Sequence, residues 1–517
     1  MSALHSVAEI REVEHAAAAG LPPYTLMARA GAACAEYAQQ LLSSVTESSA
    51  AVLILAGPGN NGGDALEAAR LLEEAGIDVA VQLHADPAGQ PPDAQHALHL
   101  AREAALDFID DLSPAGLQQQ SWALVIDGLF GIGLSRPPGS KLRAIIDAVN
   151  QLPCPVLAID VPSGLDADTG AIVGGRDGVA INATHTITFL GDKPGLHTCD
   201  GKDHSGHIEV CSLELDGLAH QTPRARLNGP HEFSSALRPR ANNSHKGSYG
   251  DVIVVGGARG MAGAPVLAAR SAAYGGAGRV YLAFVDDGPA YDSSHPELMF
   301  RHADRVEFGA GAALVVGPGM GTSRHAHDIL TRALGSQADI VLDADALNLI
   351  SSEPALQHRL QERPGASIIT PHPLEAARLL DTTTESIQRD RPLAARKLAR
   401  ELNVIAVLKG AGTVIAFPDG QIVINPSGNP GLSTAGTGDV LSGLCGALLA
   451  QGWPAREAAL AATWIHGVAA DLLVSQGLGP VGLTASEFIP AIRAVFNNII
   501  RDHVLQRPAA SPYRIRT

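Results

Sequence analysis

Short runs that are apolar at every position, separated by stretches of helical periodicity, dominate this chain. In the first half they fall at Ala51–Ala56, Ile77–Leu83, Ala123–Ile126 and Val156–Ile159, with helical segments such as Ala65–Ala75 between them. A run with no polar face has nothing to offer water, so it predicts a strand covered on both sides. Such strands alternating with helices predict βαβ units and a parallel sheet. The pattern lapses around Leu213–Asn243, where Pro, Arg and His occur without sustained periodicity, and this reads as a linker. It restarts at Asp251–Val255, Arg279–Phe284, Ala313–Val316, Ile340–Leu342, Ser367–Ile369 and Val404–Leu408. Thr413–Phe417 and Gln421–Ile424 follow across Pro418-Asp419-Gly420, a hairpin signal. The end of the chain, RPAASPYRIRT, is expected to fray beyond about Ile500. The expected division is therefore 1–215, a linker at 216–242, 243–500, and a tail at 501–517.

Composition sharpens this picture. A chain of 517 residues exceeds one hydrophobic core, so two or more domains are expected. Its 55 glycines and only 4% aromatics suit helices lying close on a parallel sheet. The formal net charge of −16 argues against nucleic acid or an anionic membrane as the main partner. An anionic ligand must then be held locally, by backbone amides, helix N-termini and a few placed lysines. Cys34, Cys154, Cys199, Cys211 and Cys445 form no CxxC pair, so neither a zinc site nor a disulfide framework is indicated. The start, MSALHSVAEIREVEHAAAAG, lacks the basic and apolar regions of a signal peptide. No uninterrupted run of eighteen apolar residues suggests a membrane span. The expected setting is the cytoplasm.

Candidate chemistry sits where the strands end. After the first strand comes Gly57-Pro58-Gly59-Asn60-Asn61-Gly62-Gly63-Asp64, then a helix. Its four glycines are expected to permit positive φ and close approach of a ligand, and its place before a helix suits phosphate. It fits neither GxGxxG nor GxxxxGK[ST]. The strand Ala123–Ile126 runs into Asp127-Gly128-Leu129-Phe130-Gly131-Ile132-Gly133-Leu134, and Val156–Ile159 into Asp160-Val161-Pro162-Ser163-Gly164. Each Asp alone could be a helix cap. Three adjacent strand ends carrying Asn, Asp or Ser beside Gly instead suggest a ligand crevice. Hard oxygen ligands with so little charge would suit a monovalent cation.

These motifs, with Leu26-Met27, Ala30-Gly31, Thr188-Phe189 and Lys193-Pro194-Gly195-Leu196, resemble the NAD(P)H-hydrate epimerase family over about Ala8 to Leu213. The resemblance implies a Rossmann-like α/β/α domain. It implies that Asn60, Asn61, Gly62, Gly63, Asp64, Gly131, Ile132, Gly133, Leu134, Ser135, Arg136, Pro137 and Asp160 bind the hydrated dinucleotide. Asn61, Asp127 and Ser163 would hold potassium, and Asp160 would be the acid/base acting at nicotinamide C6. Ala65 departs from the family's usual Gly, and its methyl group is expected to crowd the ligand to a tolerable extent.

In the second half, Gly436-Thr437-Gly438-Asp439 opens a small-residue apolar helix. Its amides could form an anion hole for a transferring phosphoryl group, and Asp439 could take a hydroxyl proton. Asn243–Gly250, Gly263-Ala264-Pro265, His295–Met299, Gly317–Gly321, Asp343–Asn348 and Thr370-Pro371-His372-Pro373 precede it. Together they resemble the nucleotide-dependent NAD(P)H-hydrate dehydratases, of ribokinase-like fold, over about Asn243 to Gln476. The resemblance places the hydrate near Ala264, Gly321, His372 and Asp439. It places ADP along Lys409, Gly410, Ala411, Gly412 and Thr413 and at Gly438, with Mg2+ on the phosphates. Leu374 replaces the family's usual Gly. The implied whole is an enzyme that epimerises R and S hydrates and dehydrates the S form with ADP, assembled as a homo-oligomer. Two rivals remain: a vitamin-type kinase fused to a dinucleotide-binding module, and a non-catalytic sensing module.

Overall fold

The computed structural model describes residues 3–43, 50–109, 113–215, 217 and 223–506, and it divides into two compact units, 1–226 and 227–517. In the first, β1 (Val52–Ala56), β2 (Val79–Leu83), β3 (Asp107–Phe108), β4 (Leu124–Gly128), β5 (Val156–Ile159), β6 (His185–Phe189) and β7 (His207–Cys211) form one sheet. Their order is β3-β2-β1-β4-β5-β6-β7, and every pairing is parallel. The apolar runs have their expected cause. Val52, Ile54 and Ala56 of β1 face a core shared with helices Thr25–Ser43 and Asn60–Glu74, while Leu53 and Leu55 face Ile145 and Ile146 on the other side. This is a Rossmann-like unit, and its strand order reverses between β1 and β4, where such sheets open a crevice.

The strands β3, β6 and β7 gave no apolar run. In β6, Thr186 and Thr188 are fully buried; Thr186 Oγ1 donates to the Ser205 carbonyl at 2.7 Å and Thr188 Oγ1 accepts from Lys193 at 2.6 Å. The edge strand β7 is largely exposed and carries His207 and Glu209.

In the second unit, β8 (Asp251–Gly256), β9 (Arg279–Phe284), β10 (Met299–His302), β11 (Ala312–Val316), β12 (Ile340–Leu342), β13 (Ser367–Ile369), β14 (Ile405–Leu408), β15 (Val414–Ala416) and β16 (Ile422–Ile424) run in the order β16-β15-β14-β13-β12-β11-β8-β9-β10. Pairings are parallel up to β14; β15 and β16 add antiparallel, as the hairpin signal predicts. Helix Thr437–Ala450 packs on helix Gly263–Tyr274 so closely that a Cβ on Gly443 would lie 2.0 Å from the Ala268 carbonyl oxygen. Helix Ala455–Ser475 is apolar enough in composition to cross a membrane, but Ala458 to Ala462, Ile465, Ala469 and Ala470 are buried in this unit's core. Together the sheet and these helices make the ribokinase-like α/β layer.

Two expectations need adjustment. Phe233 and Leu237, within the segment read as a linker, are buried in the second unit's core. The last helix continues as far as Gln506, because Val495, Phe496 and Ile499 give it an apolar stripe in that core; the remaining tail lies outside the described residues.

Candidate active sites

In the first unit the crevice is a cavity of about 810 Å³ between the ends of β1, β4 and β5. Asn60, Asn61, Asp64, Gly131, Ile132, Gly133, Leu134, Ser135, Arg136 and Asp160 line it, as the sequence suggests. Gly62, Gly63 and Pro137 do not appear in its wall. A Cβ on Gly62 would lie 2.0 Å from the Gly57 carbonyl oxygen, one on Gly63 2.5 Å from the Met27 Cε, and Pro137 packs by Gly174. None of Gly57, Gly59, Gly62 or Gly63 has a positive φ, and the helix already begins at Asn60. Gly57 and Gly62 are needed for close backbone approach: a Cβ on Gly57 would fall 1.8 Å from the Leu129 carbonyl oxygen, where the ends of β1 and β4 meet, whereas one on Gly59 would meet nothing within 4 Å. Ala65 is fully buried against Gly128 rather than facing the cavity, so its methyl group does not crowd a ligand there.

Asp160 follows β5 at φ +66°, a backbone state Asp enters more readily than most residues. Its Oδ1 pairs with Lys193 Nζ at 2.8 Å, and its Oδ2 accepts from the Ile132 amide at 3.2 Å. Lys193 is fully buried, and its ammonium also donates to Thr188 Oγ1, the Phe189 carbonyl (3.0 Å) and the Gly191 carbonyl (3.2 Å). Lys193 sits in a motif the sequence shows but assigns no role. Glu14 and Asp93 complete an acidic wall. Burial, reinforced by Asp160, Glu14 and Asp93, holds the Asp64 carboxyl well above its usual range. Burial, with Asp160, also raises Glu14.

Beside this wall, Asp127 is fully buried. Its Oδ1 accepts from Ser163 Oγ at 2.7 Å and the Leu129 amide at 3.2 Å, and its Oδ2 from the Ser163 amide at 2.8 Å. Burial pushes its pKa up to about 6 against these hydrogen bonds. Ser163 Oγ touches the Phe130 carbonyl at 3.1 Å. A Cβ on Gly131 would lie 2.9 Å from Asp160 Oδ2 and 3.1 Å from Asn61 Oδ1, so the amide oxygen and the carboxylate meet over this glycine. The Asn61 Nδ2 is buried without a hydrogen-bond partner. An amide oxygen, one carboxylate, a hydroxyl and a carbonyl form a hard donor set of charge −1, which fits a monovalent cation.

In the second unit, Gly436 turns the chain at φ +92° and Asp439 occupies the first turn of helix Thr437–Ala450. Lys409, at the end of β14, donates to Asp343 Oδ1 at 2.8 Å and lies 4.0 Å from Glu375 Oε2. A Cβ on Gly438 would be 3.3 Å from Lys409 Nζ, so this ammonium stands at the helix N-terminus where an anion would dock. Burial alone would lower the Lys409 pKa; Asp343 and Glu375 outweigh it and the net direction is upward. Asp439 is pushed up to about 7, by burial first and then by Asp343, with Lys409 opposing.

His372 caps helix Pro373–Leu379. Its Nδ1 accepts from the amides of Leu374 (3.1 Å) and Glu375 (3.4 Å), and the His372 amide in turn donates to Glu375 Oε2 at 2.8 Å. Burial and then Lys409 lower the His372 pKa. Leu374 is 45% exposed, so this departure from the family lies at the surface. Gly321 adopts φ +70° and donates its amide to Asp345 Oδ2 at 2.8 Å; Ala264 lies against the neighbouring Gly319. Gly410 and Gly412, at φ +143° and +58°, shape the turn from β14 to β15. Asp343 and Glu375 had no role from sequence, although Glu375 stands three residues after His372, the spacing of a capping box.

An enzyme with two glycine-lined strand-end sites, each pairing carboxylates with a buried or half-buried lysine, is the class these units define. Residues 252–491 match the family described as NAD(P)H-hydrate dehydratase, and residues 23–195 match the family described as YjeF-related protein N-terminus. The bifunctional NAD(P)H-hydrate repair enzyme Nnr of Escherichia coli is 36% identical over 505 residues, 96% of this chain and 94% of that one. Its counterpart in Coxiella burnetii is 36% identical over 512 residues, 96% of this chain and 100% of that one. The ADP/ATP-dependent NAD(P)H-hydrate dehydratase of Bacillus subtilis, crystallised with ATP/Mg2+, aligns with 52% of this chain and 97% of that one, at 28% identity and TM-score 0.46. The chain belongs to the bifunctional NAD(P)H-hydrate repair enzymes.

Proposed function

We propose that the first unit interconverts the R and S hydrates of NADH and NADPH, and that the second dehydrates the S form with ADP, giving AMP, phosphate and the reduced dinucleotide. The observation that supports this best is the matched pair of sites. Asp160 is fixed by Lys193, and Asp439 stands beside Lys409 at a helix N-terminus.

In the first unit, Asp160 and its neighbours are placed to move the proton on the C6 hydroxyl. Protonation releases water and leaves a ring cation shared with the ring nitrogen; water then adds to the opposite face and gives up its proton. Asp64 and Glu14, which burial biases toward the protonated form, suit the delivery of the proton that releases water. Asn61, Asp127 and Ser163, with the Phe130 carbonyl, would hold potassium. It would supply a fixed positive charge beside the substrate's anionic end.

In the second unit, Asp439 takes the proton from the C6 hydroxyl of the S hydrate. The freed oxygen attacks the β-phosphorus of ADP, AMP leaves, and phosphate then departs from C6 as the C5 proton is lost, restoring the double bond. Lys409 and the Gly438 amide hold the phosphoryl group, while Gly410 to Thr413 flank the nucleotide. Ala264, Gly321 and His372 bound the nicotinamide. Magnesium, which partly neutralises the nucleotide phosphates, would travel with them. The setting is the cytoplasm.

Product analysis tests this reading. Incubating the S hydrate with ADP should yield AMP, phosphate and NADH in equal amounts. A stable phosphorylated product without NADH would instead establish the kinase alternative.

A further inference from the structure

His302 closes the edge strand β10. The next residue, Ala303, is fully buried and pins a single turn, Ala303–Arg305, that carries Asp304. His325 lies in the first turn of helix Arg324–Leu334, whose start is fixed by Ser323 Oγ accepting from the Ala326 amide at 3.1 Å. Three segments of backbone thus bring together two imidazoles and one carboxylate, none of them assigned to the dehydration.

The spacing is that of ligands around one small cation. Asp304 Oδ2 lies 3.4 Å from His302 Nδ1 and 3.6 Å from His325 Nε2, and one ligand atom from each residue falls within 4.8 Å of the others. On a tetrahedron with bonds of about 2.0 Å, ligand atoms are about 3.3 Å apart. Beyond the other carboxylate oxygen, Arg332 Nη1 stands 3.8 Å from Asp304 Oδ1. Arg332 itself is anchored on the Val306 carbonyl at 2.9 Å and over the Phe308 ring at 5.1 Å. Its positive charge and the helix N-terminus oppose a cation, so binding must come from the imidazole nitrogens. That selects a borderline transition metal over magnesium or calcium. The side chains are 37 to 53% exposed, which leaves room for water as a fourth ligand.

We propose that His302, Asp304 and His325 form a binding site for one divalent transition-metal ion of the zinc type. Bound there, the ion ties the end of the edge strand to a helix that starts three residues after Gly321, and so clamps the loop expected to meet the hydrate.

Cobalt(II) titration of the chelator-treated full-length protein tests this, followed by displacement with zinc. One equivalent should give the intense visible bands of a four-coordinate ion, and zinc should raise the melting temperature. His302→Gln and His325→Gln should each weaken binding at least tenfold and abolish the zinc-induced shift, with metal-free melting unchanged. Absence of four-coordinate cobalt in the wild type would overturn the proposal, as would equal binding by both variants.

Discussion

Asp160 and Lys193 show how a residue acquires chemistry from its surroundings. The carboxylate could be singled out because Asp160 ends an apolar run in DVPSG, a motif that resembles the epimerase family. Its partner could not, because the loop after β6 must fold back before Lys193 Nζ reaches Asp160 at 2.8 Å. Lys193→Met should abolish this pair, and breaking a buried ion pair costs about 3–5 kcal/mol. Epimerisation should fall at least about 100-fold, on the scale of lost acid–base catalysis, as followed by the rate at which R hydrate converts to S. At the second site the raised pKa of Asp439 has a stability consequence. Unfolded, the group titrates near 3.8; folded, near 7. The folded state therefore carries the cost of a buried charge in full above about pH 7 and loses it as pH falls toward 4. Asp439→Asn should be more stable than wild type at pH 8, by an amount of order 1–4 kcal/mol, and the gap should close by pH 4 in denaturant titrations. With Asp439 as the proposed base, dehydration should decline as pH drops through about 7.

Among the elements, β1, β2, β4, β5, β8, β9 and β11 to β16 were legible because burial on both faces demands apolar runs. The polar strands β6 and β7 were not, since Thr hydroxyls bonded to carbonyls look like loop residues until the sheet is assembled. The GNNGGD segment misled in a specific way. Its glycines suggested backbone freedom, yet Gly62 is packed on Gly57 and Gly63 on Met27, while the preceding Gly57 joins the turn after β1 to the turn after β4. Gly57→Ala would drive a methyl group to 1.8 Å from the Leu129 carbonyl oxygen. The variant should destabilise the first unit by about 1–3 kcal/mol, visible as a lower melting transition, and should impair epimerisation more than dehydration. The same logic reads Ala65 correctly only after folding: its methyl group meets Gly128, so Ala65→Gly should leave the apparent affinity for hydrate unchanged.

Across the whole molecule, each unit has its own core and its own site, and the family gives both activities to one chain. That pairing suits a damaged pool containing both epimers, because a stereospecific dehydration stalls on the R form unless something converts it. The most direct measurement is recovery of reduced-nicotinamide absorbance from a mixture of R and S NADH hydrate, with ADP, magnesium and potassium. Wild type should recover it completely, Asp439→Asn should recover none, and Asp160→Asn should stop once the S epimer is spent, apart from slow spontaneous epimerisation. No recovery by wild type with either ADP or ATP would contradict the account, as would full and equally fast recovery by Asp160→Asn.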